Sequence, residues 1–127
     1  MISNKQFLVE LDQLVITNIK DPHLSVSKLC YIIKISRATM YRKIKHLYKC
    51  SPKEYLENAR LNIAKKKIDS DDCKIKVLAF EVGYNDPKWF SKKFKKKFMI
   101  TPTEYKNKNY PIERYTNFKI NIIRMVD

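Results

Sequence analysis

Apolar residues recur at intervals of three and four along most of this chain, the spacing of a helix that buries one face. In residues 4–20 the stripe consists of Phe7, Leu8, Leu11, Leu14, Val15 and Ile19. Asp21-Pro22 follows, and a residue that precedes proline is disfavoured in the helical conformation. The pattern therefore predicts a first amphipathic helix that ends before this proline.

Two serines stand where further helices would begin. Ser25 can accept a hydrogen bond from the free amides of a second helix, and Ser36 can do the same for a third over about 37–48. The residues expected to face inward from these two helices are Leu29, Ile32, Ile33, Met40, Ile44 and Leu47. The short connection between them predicts a tight turn.

Three more helix starts combine a capping residue with proline at the first helical position. They are Ser51-Pro52, Asp86-Pro87 and Thr101-Pro102. The first opens a long helix over about 52–69, and a shorter helix over about 74–82 stops at Gly83. Acidic residues at 69–72 lie between these two helices, where we interpret them as caps rather than metal ligands.

The chain contains an internal repeat with an offset of about 50 residues. Residues 40–45 match 90–95 and residues 51–55 match 101–105, while 29–33 match 78–82 at an offset of 49. Each copy is a short helix, a tight turn and a second helix rich in lysine, which is the helix-turn-helix outline. We therefore predict an all-α fold in which two helix-turn-helix subdomains are joined by a linker helix, with about seven helices.

Charge is the unusual feature of the composition. The 127 residues include 27 Lys and Arg against 13 Asp and Glu, a formal net charge of +14. Such a field attracts polyanions, so nucleic acid or an anionic membrane surface leads the expected partners. No apolar run approaches the roughly 20 residues that span a bilayer, so we expect no membrane partner for this segment.

Several kinds of chemistry are disfavoured. One glycine cannot build a glycine-rich phosphate loop, and we expect no cofactor. Three widely spaced cysteines without a CxxC predict reduced thiols in a cytoplasmic protein and no metal site. Carboxylates, histidines and a nucleophile do not cluster in the sequence, so we expect neither catalytic residues nor an enzyme.

The positive charge is concentrated in the second helix of each copy. Residues 36–50 carry five Lys and Arg without an acid, and residues 88–97 carry six lysines without an acid. Like charges one turn apart destabilise a helix by a few tenths of a kcal/mol each, and a phosphate backbone would remove that cost. The linker helix of 52–69 would span about 27 Å, and with the width of the bundles added it could place two helices about 34–36 Å apart, one turn of B-DNA. Two helices that contact adjacent major-groove segments of duplex DNA are therefore predicted.

Position along each basic helix assigns the expected roles, because residues near the start of a recognition helix reach base edges. Base contacts are expected from Arg37, Ala38, Tyr41, Arg42, Lys88, Ser91 and Lys92. Phosphate contacts are expected from Ser36, Lys45, Lys95 and Lys96. Arg42 is the best candidate for a two-point contact with guanine, which is worth about 1–3 kcal/mol. Trp89 is expected to pack half-buried, and Phe90, Phe94 and Phe98 to lie in the core.

Two other functions remain as alternatives at this point. A structural RNA-binding protein would share the charge and size, although RNA modules usually present aromatic residues on a sheet or a glycine-bearing loop. A small enzyme that acts on nucleic acid is the weaker alternative.

The chain resembles the DNA-binding domain of AraC-type bacterial transcription regulators over about 7–107. The resemblance is carried by SRATMYRKIK (36–45), SPKEYLENARLNIAKKKI (51–68) and IKVLAFEVGYNDPKWFSKKFKKKF with TPTEY (75–105). It implies a domain over 1–107, divided into a first unit (about 4–50), a linker helix (about 52–69) and a second unit (about 74–107). It also implies promoter binding, usually as an activator, and an ion-pairing or backbone-bonding role for Arg60.

The sequence departs from the family at three positions where glycine is usual. They are occupied by Lys34, Lys49 and Met99, so helix ends at 49 and 99 are expected to be less sharply left-handed, or stabilised in another way. The C-terminal tail, 108–127, matches nothing in the family.

The residues of these motifs especially resemble the output domain of hybrid two-component sensors. An upstream sensor or receiver domain is therefore an expected partner, and RNA polymerase is a further candidate. The chain is either one domain of a larger regulator or a short stand-alone regulator.

Overall fold

A computed structural model of the chain describes residues 3–70 and 72–109, and within these ranges it is helical with no strand. The seven helices are α1 (Asn4–Asn18), α2 (Val26–Ile33), α3 (Arg37–Tyr48), α4 (Pro52–Ser70), α5 (Ile75–Glu81), α6 (Pro87–Phe98) and α7 (Pro102–Asn109). The predicted all-α class is confirmed. Most of the predicted C-terminal tail, from residue 110 onward, lies outside the described residues.

The helices begin where the polar residues of the sequence predict. Ser25 accepts from the Lys28 amide, Ser36 from the Thr39 amide and Asp86 from the Lys88 amide. At the starts of α4 and α7, Ser51 and Thr101 exchange hydrogen bonds with Glu54 and Glu104 in matching capping boxes. Hydrogen bonding to the two carboxylates lowers the pKa of both glutamates from the ordinary value, with the Ser51 side chain as the largest cause for Glu54 and the Thr101 backbone amide for Glu104.

Each helix-turn-helix unit packs around its own part of a shared core. In the first unit α1, α2 and α3 are closed by α4, and in the second α5 and α6 are closed by α4 and α7. Aliphatic residues such as Leu11, Met40 and Ile44 fill the first, whereas Phe90 and Phe94 are fully buried in the second. The prediction that Ile32 faces inward is wrong. Its side chain is 40% exposed, because the short α2 buries only the face that carries Leu29 and Cys30.

A tyrosine–aspartate pair closes each unit at equivalent places. The Tyr55 hydroxyl donates to Asp12 on α1, and the Tyr105 hydroxyl donates to Asp69 on α4 at 2.6 Å. Tyr55 and Tyr105 are 50 residues apart, so α4 supports the second unit as α1 supports the first. The expectation that Asp69 caps a helix is therefore wrong, since it lies inside α4. The α5 N-cap is Lys74, which makes no side-chain capping bond.

The ends of α2, α3 and α6 are left-handed although none carries glycine. Lys34, Lys49 and Met99 have φ of 66°, 61° and 63°. Of the two alternatives expected for the helix ends at 49 and 99, the less left-handed conformation is wrong. Each of these residues donates its amide to the carbonyl four positions earlier, at 2.8, 3.0 and 2.7 Å, which closes the last turn. All three side chains are exposed, so the conformation costs only about 1–2 kcal/mol per residue in local sterics.

Arg60, in the middle of α4, ties the two units together. Its guanidinium is buried and donates to backbone carbonyls of both units. Nη1 contacts the Ile19 oxygen at 2.6 Å and the Val82 oxygen at 2.8 Å, and Nη2 contacts the Asp21 oxygen at 3.1 Å. The backbone-bonding role implied by the family resemblance is confirmed.

The single glycine of the chain makes room for this tie. Gly83 has a φ of 89°, and a Cβ atom there would lie 1.7 Å from Nη1 of Arg60. That distance is far inside van der Waals contact, so no side chain fits while the guanidinium stays in place. Gly83 and Arg60 therefore form one structural feature.

Candidate nucleic-acid interface

The outward face of α3 carries the predicted base-contact residues of the first unit. Arg37, Ala38, Tyr41 and Arg42 are all exposed, on the side of the helix away from buried Met40 and Ile44. Lys45 continues the same face one turn later, because residues three and four apart are neighbours on a helix. We call this set, together with Ser36 at the cap, the α3 face.

Hydrogen bonds within the α3 face hold its first turn. The Ser36 hydroxyl donates to Thr39 Oγ1 at 2.9 Å, and Arg42 Nη2 donates to the same oxygen at 3.2 Å. Arg37 donates to the Ser27 hydroxyl on α2. The guanidinium groups of both arginines are thereby positioned at the protein surface.

The corresponding face of α6 is formed by lysines. Lys88, Lys92, Lys95 and Lys96 are exposed, whereas Ser91 is half-buried between them. Buried Phe90 and Phe94 anchor the opposite side, as predicted, and Phe98 packs on Phe94 with ring centroids 4.6 Å apart. We call Lys88, Ser91, Lys92, Lys95 and Lys96 the α6 face.

Three further lysines of these helices contact other parts of the protein, although Lys97 is also exposed. Lys93 lies 3.5 Å from a Glu57 carboxylate oxygen, and Lys97 donates to Asn58 at 3.0 Å. Lys43, 50 residues before Lys93, lies 5.0 Å from the centroid of the Phe7 ring. Burial lowers the pKa of Lys97 from its ordinary value. Contacts with α4 thus set Lys93 and Lys97 apart from the four lysines of the α6 face, which are the four that the sequence analysis assigned to DNA contacts.

Trp89 lies beside the α6 face with 48% of its side chain exposed, in agreement with the predicted half-buried packing. The Nζ atoms of Lys93 and Lys92 lie 4.9 and 5.7 Å from its ring centroid. Cation–π attraction of this kind is worth about 0.5–1 kcal/mol at exposed sites. The indole of Trp89 therefore attracts the ammonium groups of Lys92 and Lys93 in the middle of α6.

Other kinds of site were sought in the same ranges. Among residues 3–70 and 72–109, no group of three or more His, Cys, Asp or Glu side chains could hold a metal ion. Within the described residues, no helix is both long and apolar enough to cross a membrane.

A family model described as a helix-turn-helix domain matches residues 29–108, more than half of the chain. The chain belongs to the helix-turn-helix domain family. The match begins in α2 and ends in α7, so it covers the linker helix, the second unit and the part of the first unit that follows residue 28. The prediction of a DNA-binding helix-turn-helix domain is confirmed.

Known relatives and structures refine this assignment. Histidine kinase P4 from Formosa agariphila is 30% identical over 105 residues, which are 83% of this chain and 8% of the kinase. The lactose operon transcription activator of Staphylococcus xylosus is 35% identical over 85 residues, or 67% of this chain and 30% of the activator. The chain thus spans a small part of each relative.

A solved structure with the same architecture is an AraC-type transcriptional regulator from Chromobacterium violaceum. It superposes with a TM-score of 0.75 at 26% identity and covers 84% of this chain and 95% of its own. The AraC-type resemblance and the fold of two joined subdomains are confirmed. The alternative of a structural RNA-binding protein gains no support from these three proteins.

Proposed function

We propose that this domain binds specific duplex DNA as the output domain of a transcription activator, with α3 and α6 in adjacent segments of the major groove. The observation that carries the proposal is the pair of outward cationic faces, one on α3 and one on α6, with both units hydrogen-bonded to Arg60 of the linker helix. The name of the Staphylococcus xylosus relative supports the activator role.

The linker helix supports simultaneous contact by both faces. At about 1.5 Å per residue, the 19 residues of α4 extend for about 28 Å. Successive major-groove faces of B-DNA are about 34–36 Å apart along one side of the duplex. With the widths of the two bundles added, one chain spans an asymmetric site without a second copy.

The faces divide into base contacts and phosphate contacts. On the α3 face, Arg42 is proposed to donate to the O6 and N7 atoms of a guanine, with Arg37, Ala38 and Tyr41 beside it. On the α6 face Lys88, Ser91 and Lys92 approach base edges. Phosphates are held by Ser36, Lys45, Lys95 and Lys96.

The wider protein context is part of the same proposal. Similarity to a histidine kinase supports an upstream sensor or receiver domain as the partner that controls this domain. Such an output domain would act in the cytoplasm. RNA polymerase as a second partner stays a prediction of the activator role.

Titration of duplex DNA, single-stranded DNA and structured RNA at several salt concentrations tests the partner class. If six to eight phosphates are engaged, the logarithm of the duplex association constant falls with log salt at a slope of about −5 to −7. We expect duplex DNA to bind most tightly. Equal affinity for structured RNA would contradict the proposal.

Two matched alanine variants test the roles, because each removes one positive charge. Arg42→Ala should reduce preference for one base pair, whereas Lys96→Ala should weaken specific and random duplexes alike. Identical behaviour of the two variants on both duplexes would reject the division into base and phosphate contacts.

A further inference from the structure

The two faces differ in the kind of cation that they offer. The α3 face carries two guanidinium groups, Arg37 and Arg42, whereas every cation on the α6 face is a lysine ammonium. A guanidinium is a planar fork whose paired donors match the two acceptors on the guanine edge. An ammonium is a compact point charge that serves phosphates well but discriminates base edges less.

The matched positions differ in how firmly the cation is held. At the offset of 50, Arg42 corresponds to Lys92 and Thr39 to Trp89. The Thr39 hydroxyl accepts from Arg42 at 3.2 Å and is itself held by Ser36 at 2.9 Å. Lys92 instead lies 5.7 Å from the centroid of the Trp89 ring, a contact that fixes no donor direction.

The helix starts differ as well. The α3 helix begins with the neutral cap Ser36 and the cation Arg37, but α6 begins with the carboxylate of Asp86 and with Pro87, which has no amide hydrogen. The Lys88 amide already donates to Asp86 at 3.0 Å. Acceptor groups of DNA therefore meet a negative charge and fewer open amides at the start of α6.

From these differences we infer that sequence discrimination resides mainly in the first unit, where Thr39 orients the Arg42 guanidinium, and that the second unit mainly holds the DNA backbone. The inference rests on the proposed function and narrows it. The preferred ligand is a duplex with one well-defined, guanine-containing half-site. The neighbouring half-site is almost indifferent to sequence.

Selection of bound duplexes from a random library by the full chain tests this directly. Wild type should enrich one half-site and leave the adjacent half nearly random. Two charge-conserving exchanges sharpen the test. Arg42→Lys should lower the ratio of specific to random affinity by roughly 10- to 100-fold, without changing the salt slope. Lys92→Arg should still enrich the half-site that wild type selects. It should also increase the sequence preference in the adjacent half-site, which α6 contacts.

Thr39 is a positioning residue in this scheme, and it has its own matched pair of variants. Thr39→Val keeps the branched shape but removes the acceptor, whereas Thr39→Ser keeps the hydroxyl. The valine variant should lose roughly 2- to 10-fold of the specific-to-random ratio, and the serine variant should regain most of it. Affinity for random duplex should be the same in both, which a merely structural defect would not allow.

Two results would overturn the inference. One is the enrichment of two equally defined half-sites by wild type, and the other is a loss of specificity in Lys92→Ala as large as that in Arg42→Lys. Either would leave the proposed function intact, because specific duplex binding would still be observed. Failure to enrich any duplex sequence would contradict the proposed function itself and the inference with it.

Discussion

Tyr55, on the first turn of the linker helix, and Tyr105, in the second unit, stand 50 residues apart, and each donates its hydroxyl to an aspartate on another helix. On the exposed faces of α3 and α6, the matched positions 42 and 92 carry an arginine and a lysine. The units thus share this tyrosine–aspartate contact and differ at matched positions that meet solvent. Close packing restricts change in the interior, whereas the exposed faces are free to take different roles.

The cores also differ in composition, within the same arrangement of helices. Phe94 contacts the rings of Phe90, Phe98 and Tyr105 with centroids 4.6–6.0 Å apart. Aromatic pairs in such geometries add about 0.5–1.5 kcal/mol beyond the area that they bury. The first unit relies on Leu11, Met40 and Ile44 instead. The variants below test how independent the two units are, from the largest expected effect to the smallest.

Arg60→Met should have the largest effect, because it removes the tie to both units and leaves buried carbonyl oxygens without their donor. We expect the free energy of unfolding in urea to fall by about 3–5 kcal/mol. Arg42→Ala is the control, since that arginine is exposed and should change stability by less than about 0.5 kcal/mol. Equal stability of the two variants would show that the units do not depend on the tie.

Gly83→Ala tests the same tie from the other side. The added methyl would meet the Arg60 guanidinium and the Ile19 carbonyl, 1.7 and 2.5 Å from the ideal Cβ position. We expect a loss of about 2–4 kcal/mol in urea unfolding from the clash and the positive φ. A combined Gly83→Ala, Arg60→Met variant should lose less than the sum. Strict additivity would mean that the two residues act separately.

The tyrosine–aspartate pairs should be unequal. Asp69 and Tyr105 are buried, so Tyr105→Phe should lower the free energy of unfolding by about 2–3 kcal/mol. Tyr55→Phe should cost about half as much, because Asp12 is less buried and keeps the Tyr48 hydroxyl 3.3 Å away. Thermal melts of the two variants side by side provide the measurement. The reverse order would contradict the assignment of the second pair as the more buried one.

Alkaline pH should weaken the second unit through Tyr84. Burial, followed by nearby Glu57, raises the pKa of Tyr84 to about 12. An unfolded tyrosine titrates near pH 10, so the folded protein holds this proton more tightly. The resulting stability is complete below about pH 10 and is lost as pH rises toward 12, by about 2 kcal/mol at pH 12.

Tyr84→Phe isolates this contribution. Unfolding free energies of wild type and variant measured between pH 8 and 12 should diverge above about pH 10, because only the wild type loses the Tyr84 contribution. At neutral pH the variant should be at least as stable, because the buried Tyr84 hydroxyl finds no hydrogen-bond partner among the described residues. Parallel curves across the whole range would contradict the prediction.

The smallest expected effect is an increase in the free energy of unfolding. Met99→Gly should raise stability by about 1 kcal/mol, because glycine adopts the left-handed conformation without steric cost and the Met99 side chain is 84% exposed. Lys49→Gly should gain less, since Lys49 also donates to the His46 carbonyl at 3.0 Å. Melting temperatures of the two variants provide the comparison. A loss of stability in Met99→Gly would reject the steric argument.

Much of the fold could be predicted because its signals are local. Ser25, Ser36 and Asp86 each make the capping bond within three residues of themselves, so the sequence around them was sufficient. The repeat then placed the two basic helices in equivalent positions. Residues such as Arg42 and Lys92 could be assigned to outward faces from helical phase alone.

What could not be predicted depends on partners far along the chain. Asp12 lies 43 residues from Tyr55, and Lys97 lies 39 residues from the Asn58 amide that it contacts. The left-handed conformation of Lys49 and Met99 was mispredicted for a different reason. The expectation used only the preference of glycine for left-handed helix ends. It did not include the hydrogen bonds that close each helix end without glycine.

The tie at Arg60 also affects the DNA. A guanidinium held by the carbonyl oxygens of Ile19, Asp21, Leu24 and Val82 restricts movement between the units. We therefore expect the duplex, rather than the protein, to bend where both faces contact it. Curvature is easiest at pliable base-pair steps, so bases between the half-sites that no side chain touches would still influence affinity.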